Sequence, residues 1–457
     1  MAKTSLSFDI AGKTLTVETG QLASQATASI LARLGDTMVL ATVVEGKKRD
    51  DMDYFPLTVE YVERLYAGGR IKGSRWVKRE GRPSDDAILT ARLIDRSIRP
   101  LFPKDYRNEV QIMVTILSVD GENEPDILSM IAVSAALSIS HIPWQGPIGA
   151  IRIGYVKEKD NGNAELIVNP TTSESEYSEL DLVVAQTKDK TVMIETGALQ
   201  IPEEILVDGI RKAHEETKKI ITFIDDFVAK IGQKKAQVSV DSKIPELAKL
   251  LEKTYSGEIK ELLTLLAKKE GENTAFAQLV DTIFEHREAG ETYEKRDVTK
   301  AVEYLLFSYL RSDVLTKKKR IDGRKIDQIR DISLAVSVLP RTHGSAIFQR
   351  GSTQALTVVT LGSPRMEQLI ESAEGEEAKR YMHHYSMPPY SVGETGRTGF
   401  PSRREIGHGA LAEKALIAVI PHKTTFPYTV RVVSEILSSN GSTSMALKIL
   451  QEIWILK

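Results

Sequence analysis

The sequence predicts an α/β chain (α+β) in which one β/α unit occurs twice, with an all-helical domain between the copies and the second copy incomplete. Three observations predict it. Ala28 to Gly46 (ASILARLGDTMVLATVVEG) and Gly344 to Gly362 (GSAIFQRGSTQALTVVTLG) share six of nineteen positions without gaps, at an offset of 316. Val110 to Gly121 (VQIMVTILSVDG) and Val430 to Gly441 (VRVVSEILSSNG) share five of twelve, at an offset of 320. The stretch between the copies has a different, helical texture.

Each first block reads as a hairpin: an apolar run, a glycine-containing turn, another apolar run. Gly35 matches Gly351 and Thr37 matches Thr353. The first copy is expected over residues 1–235. After Gly121 it continues through GPIGAIRIGYV and LDLVVAQTKDKTVMIE to a helical tail across Glu204 to Phe227. Ile244, Leu247, Leu250 and Leu251, then Val302, Leu305, Leu306 and Tyr309, repeat at helical spacing, which places the all-helical domain at 236–316. The basic run KKKR at 317–320 leads into the second copy, 317–457, which has only sixteen residues after Gly441. By internal comparison its final part is expected to be missing.

Of 457 residues, 27% are charged and 41% apolar, an ordinary globular balance. No apolar run is long enough to span a membrane, and the N-terminus alternates like a strand rather than a signal peptide. Cysteine is absent, which excludes disulfides and thiolate metal sites and fits a reducing, cytoplasmic location. A net charge of −2 leaves nucleic-acid binding to local clustering.

Cations cluster in three places. WVKREGR carries Trp76, Lys78, Arg79 and Arg82, the mix of aromatic and cation that tracks a single strand; a surface loop with one buried Trp reads the same way. Arg92, Arg96 and Arg99 recur at i, i+4 and i+7, so a helix places them on one face, with Asp95 able to pair with Arg92 or Arg99. That face is equally what a solvated, salt-bridged helix presents. In FPSRREIGHG, Arg403 and Arg404 can clamp an anion and His408 can donate a hydrogen bond or a proton. His408 between two glycines reads as a tight loop, and RRE reads also as an ion-pair cluster. Asn440-Gly441-Ser442-Thr443-Ser444 can cradle an anion ahead of a helix, or be an ordinary N-cap. The first copy has Glu122-Asn123-Glu124 there, whose charge would repel phosphate.

KREGRPSDDAILTARLIDRSIRPLFP, IDGRKIDQIRDIS, RREIGHGALAEKAL and FPYTVRVVSEILSSNGSTSMA together closely resemble the bacterial polynucleotide phosphorylase family, across residues 1 to about 446. The resemblance implies two RNase PH-like α/β units joined by a helical domain. It implies 3′-to-5′ phosphorolysis of RNA, in which inorganic phosphate releases nucleoside diphosphates from single-stranded 3′ ends, and the reverse polymerisation. It also implies a homotrimeric ring and a Mg²⁺ or Mn²⁺ cofactor. Under the resemblance, Trp76, Val77, Lys78, Arg79 and Arg82 match the pore-lining loop. Arg92, Arg96, Arg99 and Arg152 match further RNA-binding positions. Arg403, Arg404 and His408 match catalytic contacts, and Ser442, Thr443 and Ser444 match the phosphate-binding serines, the threonine keeping the hydroxyl.

Three departures follow. LKILQEIWILK does not resemble the family's continuation after SMA. The family's metal-binding aspartates have no expected counterpart before Lys457, so no metal ligand is assigned. The KH and OB-type RNA-binding modules are expected to be absent. The chain is therefore expected to be weak or inactive alone. The alternatives are a non-catalytic RNA-binding or ring-forming remnant, and one half of a split enzyme.

Overall fold

A computed structural model of the chain describes residues 3–49, 52, 54–73, 76, 78–157, 164–238, 243–268, 272–286, 293–441 and 443. They form two compact units: one holds residues up to Val238 together with those from Ile332 onward, the other runs Ser239–Asp331. Both copies of the repeat thus share the first unit.

In the first copy, β1 (Thr4–Ile10), β2 (Lys13–Thr19), β3 (Ala28–Leu34), β4 (Thr37–Lys48), β5 (Leu57–Val62) and β6 (Asn108–Ser118) form a sheet of order β1-β2-β3-β4-β6-β5. Helices α1 (Asp85–Ile98) and α2 (Pro125–Ile139) belong to this layer. Beyond them, β7 (Gly149–Lys157), β8 (Ala164–Val168), β9 (Leu180–Gln186) and β10 (Thr191–Ala198) form a second sheet, with short α3 (Thr172–Ser175) and long α4 (Glu203–Ile231). Alternation explains the burial: Val39, Ala41 and Val43 are fully buried from one face of β4 while their neighbours are not. Helix α2 is buried on nearly every side, as its almost unbroken run of apolar and small residues requires.

The second copy repeats the first sheet. Its strands are β11 (Ile332–Val336), β12 (Gly344–Arg350), β13 (Thr353–Gly362), the hairpin β14 (Gln368–Glu371) and β15 (Glu376–Lys379), β16 (Tyr381–Ser386) and, after α8 (Arg403–Leu416), β17 (Thr429–Ser438). The order β11-β12-β13-β17-β16 matches β2-β3-β4-β6-β5, and in both only the last pair is parallel. Helices α1 and α8 are each fourteen residues long and each begins with a serine cap, Ser84 and Ser402.

Two residues identical between copies play matching parts. Gly35 and Gly351 turn their hairpins at φ 60° and 59°, a region that glycine enters without a Cβ clash. Thr37, fully buried, donates to Asn123 O at 2.9 Å and accepts from Asp120 N at 3.2 Å. Thr353, also fully buried, accepts from Asn440 N at 3.1 Å. In each copy this threonine ties the hairpin turn to the loop that follows β6 or β17.

The other unit contains α5 (Lys243–Lys268), α6 (Glu272–Glu285) and α7 (Lys295–Lys317), around a core that includes Leu247, Leu251, Ile259, Val302, Leu305 and Leu306. Leu250 is 44% exposed and falls off the buried stripe that its spacing suggested. Among the described residues, no helix is long and apolar enough to cross a membrane.

Replacing Thr37 by Val removes two buried hydrogen bonds and leaves their partners unpaired. It is expected to destabilise the chain by about 1–3 kcal/mol. Urea unfolding checks this: a wild-type midpoint for the variant contradicts the role assigned to Thr37.

Candidate functional site

The two copies meet where α1 packs against α8. His408 lies inside α8, not in the loop expected from its flanking glycines. The glycines serve packing instead. A Cβ on Gly409 would stand 2.7 Å from His383 O, so α8 can lie close on β16. A Cβ on Gly407 would stand 2.6 Å from Arg92 Nε and 3.0 Å from its Cζ, so the Arg92 guanidinium rests directly against the α8 backbone.

This packing gathers cations from both copies. Burial, then the charges of Arg404, Arg92 and Arg96, push the His408 imidazole down to about 4, against the opposing pull of Glu405. Burial and the neighbouring Arg96, Arg404 and Arg403 lower Arg92 as well, with Asp95 opposing them. Among the described residues, none of Arg92, Arg96 and Arg404 is in a salt bridge. The Nδ1 atom of His408 is buried and, among the described residues, has no hydrogen-bond partner. Tyr385 of β16 meets the His408 ring edge-on, with centroids 4.9 Å apart and planes at 78°. Its hydroxyl lies 2.6 Å from Thr443 Oγ1, and Thr443 is buried. Ser442 and Ser444 lie outside the described residues, as does Val77.

The other predicted residues divide. Arg403 turns away to β5, donating to Val59 O at 2.6 Å and pairing with Glu60 Oε1 at 2.5 Å. Glu405 completes the α8 capping box and accepts from Met387 N, so RRE is not an ion-pair cluster. Arg82 stacks over the Phe400 ring at 4.0 Å, just ahead of α8. Trp76 is 86% exposed, and Lys78 and Arg79 are exposed.

Two arginines expected on an RNA path are committed elsewhere. Arg99 pairs with Asp95 at 2.6 Å and donates to Phe55 O and Leu57 O. Arg152 is enclosed by Glu124 at 2.9 Å, Asp126 at 2.5 Å and Asp181 at 3.0 Å. A desolvated guanidinium needs such partners, and three carboxylates hold it in its charged form.

This acidic cluster lies at the first copy's counterpart of the cationic cleft. Asp85 and Asp86 stand at the α1 positions that Arg403 and Arg404 occupy in α8. Burial, with Asp126, Asp181 and Glu374 adding repulsion against the pull of Arg152, pushes Glu124 up to about 7. Lys414 pairs with Glu195 at 2.7 Å and reaches Asp181 at 4.0 Å. Sequence reasoning missed Tyr385 and Gly407. An aromatic in a strand reads as core, and the contact of Gly407 with Arg92 spans 315 positions of sequence.

The chemistry of this cleft suits an anion. Its donors are guanidiniums, an imidazole and hydroxyls, all of which can donate hydrogen bonds to phosphate oxygens. Among the described residues, no group of three or more His, Asp or Glu could hold a metal ion.

A duplicated β/α frame thus gathers cations from both of its copies where α1 meets α8. The chain belongs to the 3′ exoribonuclease family: the profile of that family's domain 1 matches residues 11–143 and 328–449, and that of domain 2 matches residues 146–216. Over 444 residues it is 47% identical to the polyribonucleotide nucleotidyltransferase of Heliobacterium modesticaldum, covering 96% of this chain and 61% of that one. For Natranaerobius thermophilus the identity is 47% over 452 residues, covering 97% and 62%. For Roseiflexus castenholzii it is 46% over 447 residues, covering 97% and 59%. The chain thus spans about three-fifths of the length of the curated relatives it matches. The crystal structure of rice Rrp46 shares only a distant likeness, with a TM-score of 0.38 and 15% identity, over 47% of this chain and 94% of that one.

Two outcomes test the cleft. His408 protonates near 4 in the folded chain but near 6.5 when unfolded. Its folded pKa is depressed, so stability present above pH 6.5 is lost as pH falls toward 4. Wild type should therefore lose more stability than His408→Gln over that window in urea titrations; equal losses contradict the depressed pKa. Gly407→Ala should displace Arg92 and raise the His408 pKa, read by NMR titration of the imidazole. An unchanged value means Arg92 does not act on His408.

Proposed function

We propose that this chain supplies the phosphate- and RNA-binding cleft of a phosphate-dependent 3′-to-5′ exoribonuclease. The observation that carries this reading is the convergence of Arg92 and Arg96 from one copy with Arg404 and His408 from the other, beside Thr443. In phosphorolysis an oxygen of inorganic phosphate attacks the phosphorus of the terminal phosphodiester. A new P–O bond forms, the bond to the penultimate 3′ oxygen breaks, that oxygen gains a proton, and a nucleoside diphosphate leaves.

The residues suit this chemistry in separate ways. The guanidiniums hold two anions close together despite their mutual repulsion and stabilise the charge that builds up on the transferring phosphoryl group. His408 is neutral at pH 7, so it can hydrogen-bond without adding another fixed charge. Entry of phosphate raises its proton affinity, because an anion offsets the surrounding arginines. The Thr443 hydroxyl can donate to a phosphate oxygen. Arg403 acts by holding α8 to β5 through Glu60. Exposed Trp76, Lys78 and Arg79, with Arg82 on Phe400, offer stacking and charge to an approaching strand. A Mg²⁺ or Mn²⁺ requirement and a homotrimeric ring belong to the same reading through the family resemblance.

Exposed Trp76, Lys78, Arg79 and Arg82 also favour a second reading, RNA binding without turnover. One set of assays on the purified chain separates the two. Single-stranded oligo(A) should bind with an affinity that falls steeply as salt rises. Inorganic phosphate should compete at its 3′ end. Any ADP released from poly(A) with Mg²⁺ or Mn²⁺ should require phosphate. Arg404→Ala should weaken binding about tenfold, whereas Arg403→Ala should chiefly lower stability, by about 0.5–1 kcal/mol for a partly exposed pair. Salt-sensitive binding with no ADP supports the second reading, and binding indifferent to Arg404→Ala sinks the first.

A further inference from the structure

Tyr385 lies outside every cationic motif, yet it touches two members of the cleft. Its hydroxyl stands 2.6 Å from Thr443 Oγ1, its ring meets His408 edge-on, and it is only 5% exposed. Among the described residues, its hydroxyl can also donate to Met387 Sδ at 3.6 Å, a weaker acceptor than the Thr443 oxygen for the same proton.

The first copy is an internal control. Tyr61 occupies the matching register: it pairs with Val114 as Tyr385 pairs with Ser434, 320 positions on. Asn123, the counterpart of Thr443, spends its side chain on Lys13 at 2.8 Å and Asp120 at 2.7 Å. Tyr61 instead faces the charges of Asp126, Glu63, Glu374 and Glu124. The tyrosine–hydroxyl bond thus appears in the copy that carries the cleft, and its counterpart in the other copy is occupied differently.

The direction of that bond matters. The unprotonated oxygens of phosphate only accept, and a threonine hydroxyl has one proton to give. If Thr443 donates to Tyr385, nothing remains for phosphate. If Tyr385 donates, the Thr443 proton is free. Burial, outweighing the opposing effects of Thr443 and Arg404, raises the Tyr385 pKa, so the phenol keeps its proton.

We propose that Tyr385 is a positioning residue for inorganic phosphate: it donates to Thr443 Oγ1, aims the threonine proton at a phosphate oxygen, and braces the His408 ring with its edge. The proposal rests on the phosphate-binding reading above.

Calorimetric titration of inorganic phosphate into the full chain tests it, using wild type, Tyr385→Phe, Thr443→Val, Thr443→Ser and the Tyr385→Phe/Thr443→Val double variant. Tyr385→Phe should weaken phosphate about fivefold, the scale of one lost hydrogen bond, without a matching fall in melting temperature. Thr443→Ser should bind like wild type and Thr443→Val should not. The double variant should be no weaker than Thr443→Val, because the phenol acts through that hydroxyl. Wild-type affinity in Tyr385→Phe, or losses that add in the double variant, overturns the role of Tyr385 and leaves the cleft intact. Should Tyr385→Phe fail to fold, undiminished affinity in Thr443→Val overturns it. Absence of phosphate binding by wild type overturns the phosphate reading, and this proposal with it.

Discussion

Like charges gathered in a half-buried cleft repel, and the close packing of α1 on α8 is what keeps them together. Arg92 reaches the cleft because residue 407 has no side chain, which lets the guanidinium rest on the α8 backbone. Arg92 and Arg96 come from one copy, Arg404 and His408 from the other. Burial first, and then the neighbouring guanidiniums, lower the proton affinities of His408 and Arg92. An anion placed among these cations would offset their mutual repulsion.

Opposing devices hold the copies in place. Arg403 binds β5 through Glu60 and Val59 O, and Lys414 binds β10 through Glu195. The tip of the β14–β15 hairpin places Ala373 in the first copy's core, where it is 4% exposed. Partly exposed ion pairs contribute little each, so the buried hairpin tip and the helix contact carry more of the cohesion.

Duplication gave one frame two electrostatic characters. Sheet order, strand polarity, the capped fourteen-residue helix and the buried threonine recur in both copies. The charges at matching positions do not. Asp85 and Asp86 stand opposite Arg403 and Arg404, and Glu122-Asn123-Glu124 opposite Ser442-Thr443-Ser444. The first copy's carboxylates enclose a cation of their own copy, Arg152. Among the described residues, Arg92, Arg96 and Arg404 of the cationic cluster are in no salt bridge.

What the sequence by itself determined is local. The repeat was legible because Gly35 and Thr37 recur as Gly351 and Thr353, and a turn at positive φ and its buried hydroxyl tolerate few other residues. The helical texture between the copies was legible for the same reason of short-range period. The cationic motifs were visible as residue types. Only the tertiary structure decided their use: Arg152 and Arg99 go to carboxylates and carbonyls, Arg403 to β5, and Arg92 and Arg96 join Arg404 and His408. The glycines around His408 suggested a loop, and only the neighbours of α8 showed that they serve close helix packing. Tyr385 and Gly407 gave no sequence signal, because the contacts that define them join residues 58 and 315 positions apart, and a side chain's partners at that range are set by how elements pack, not by the residues beside it.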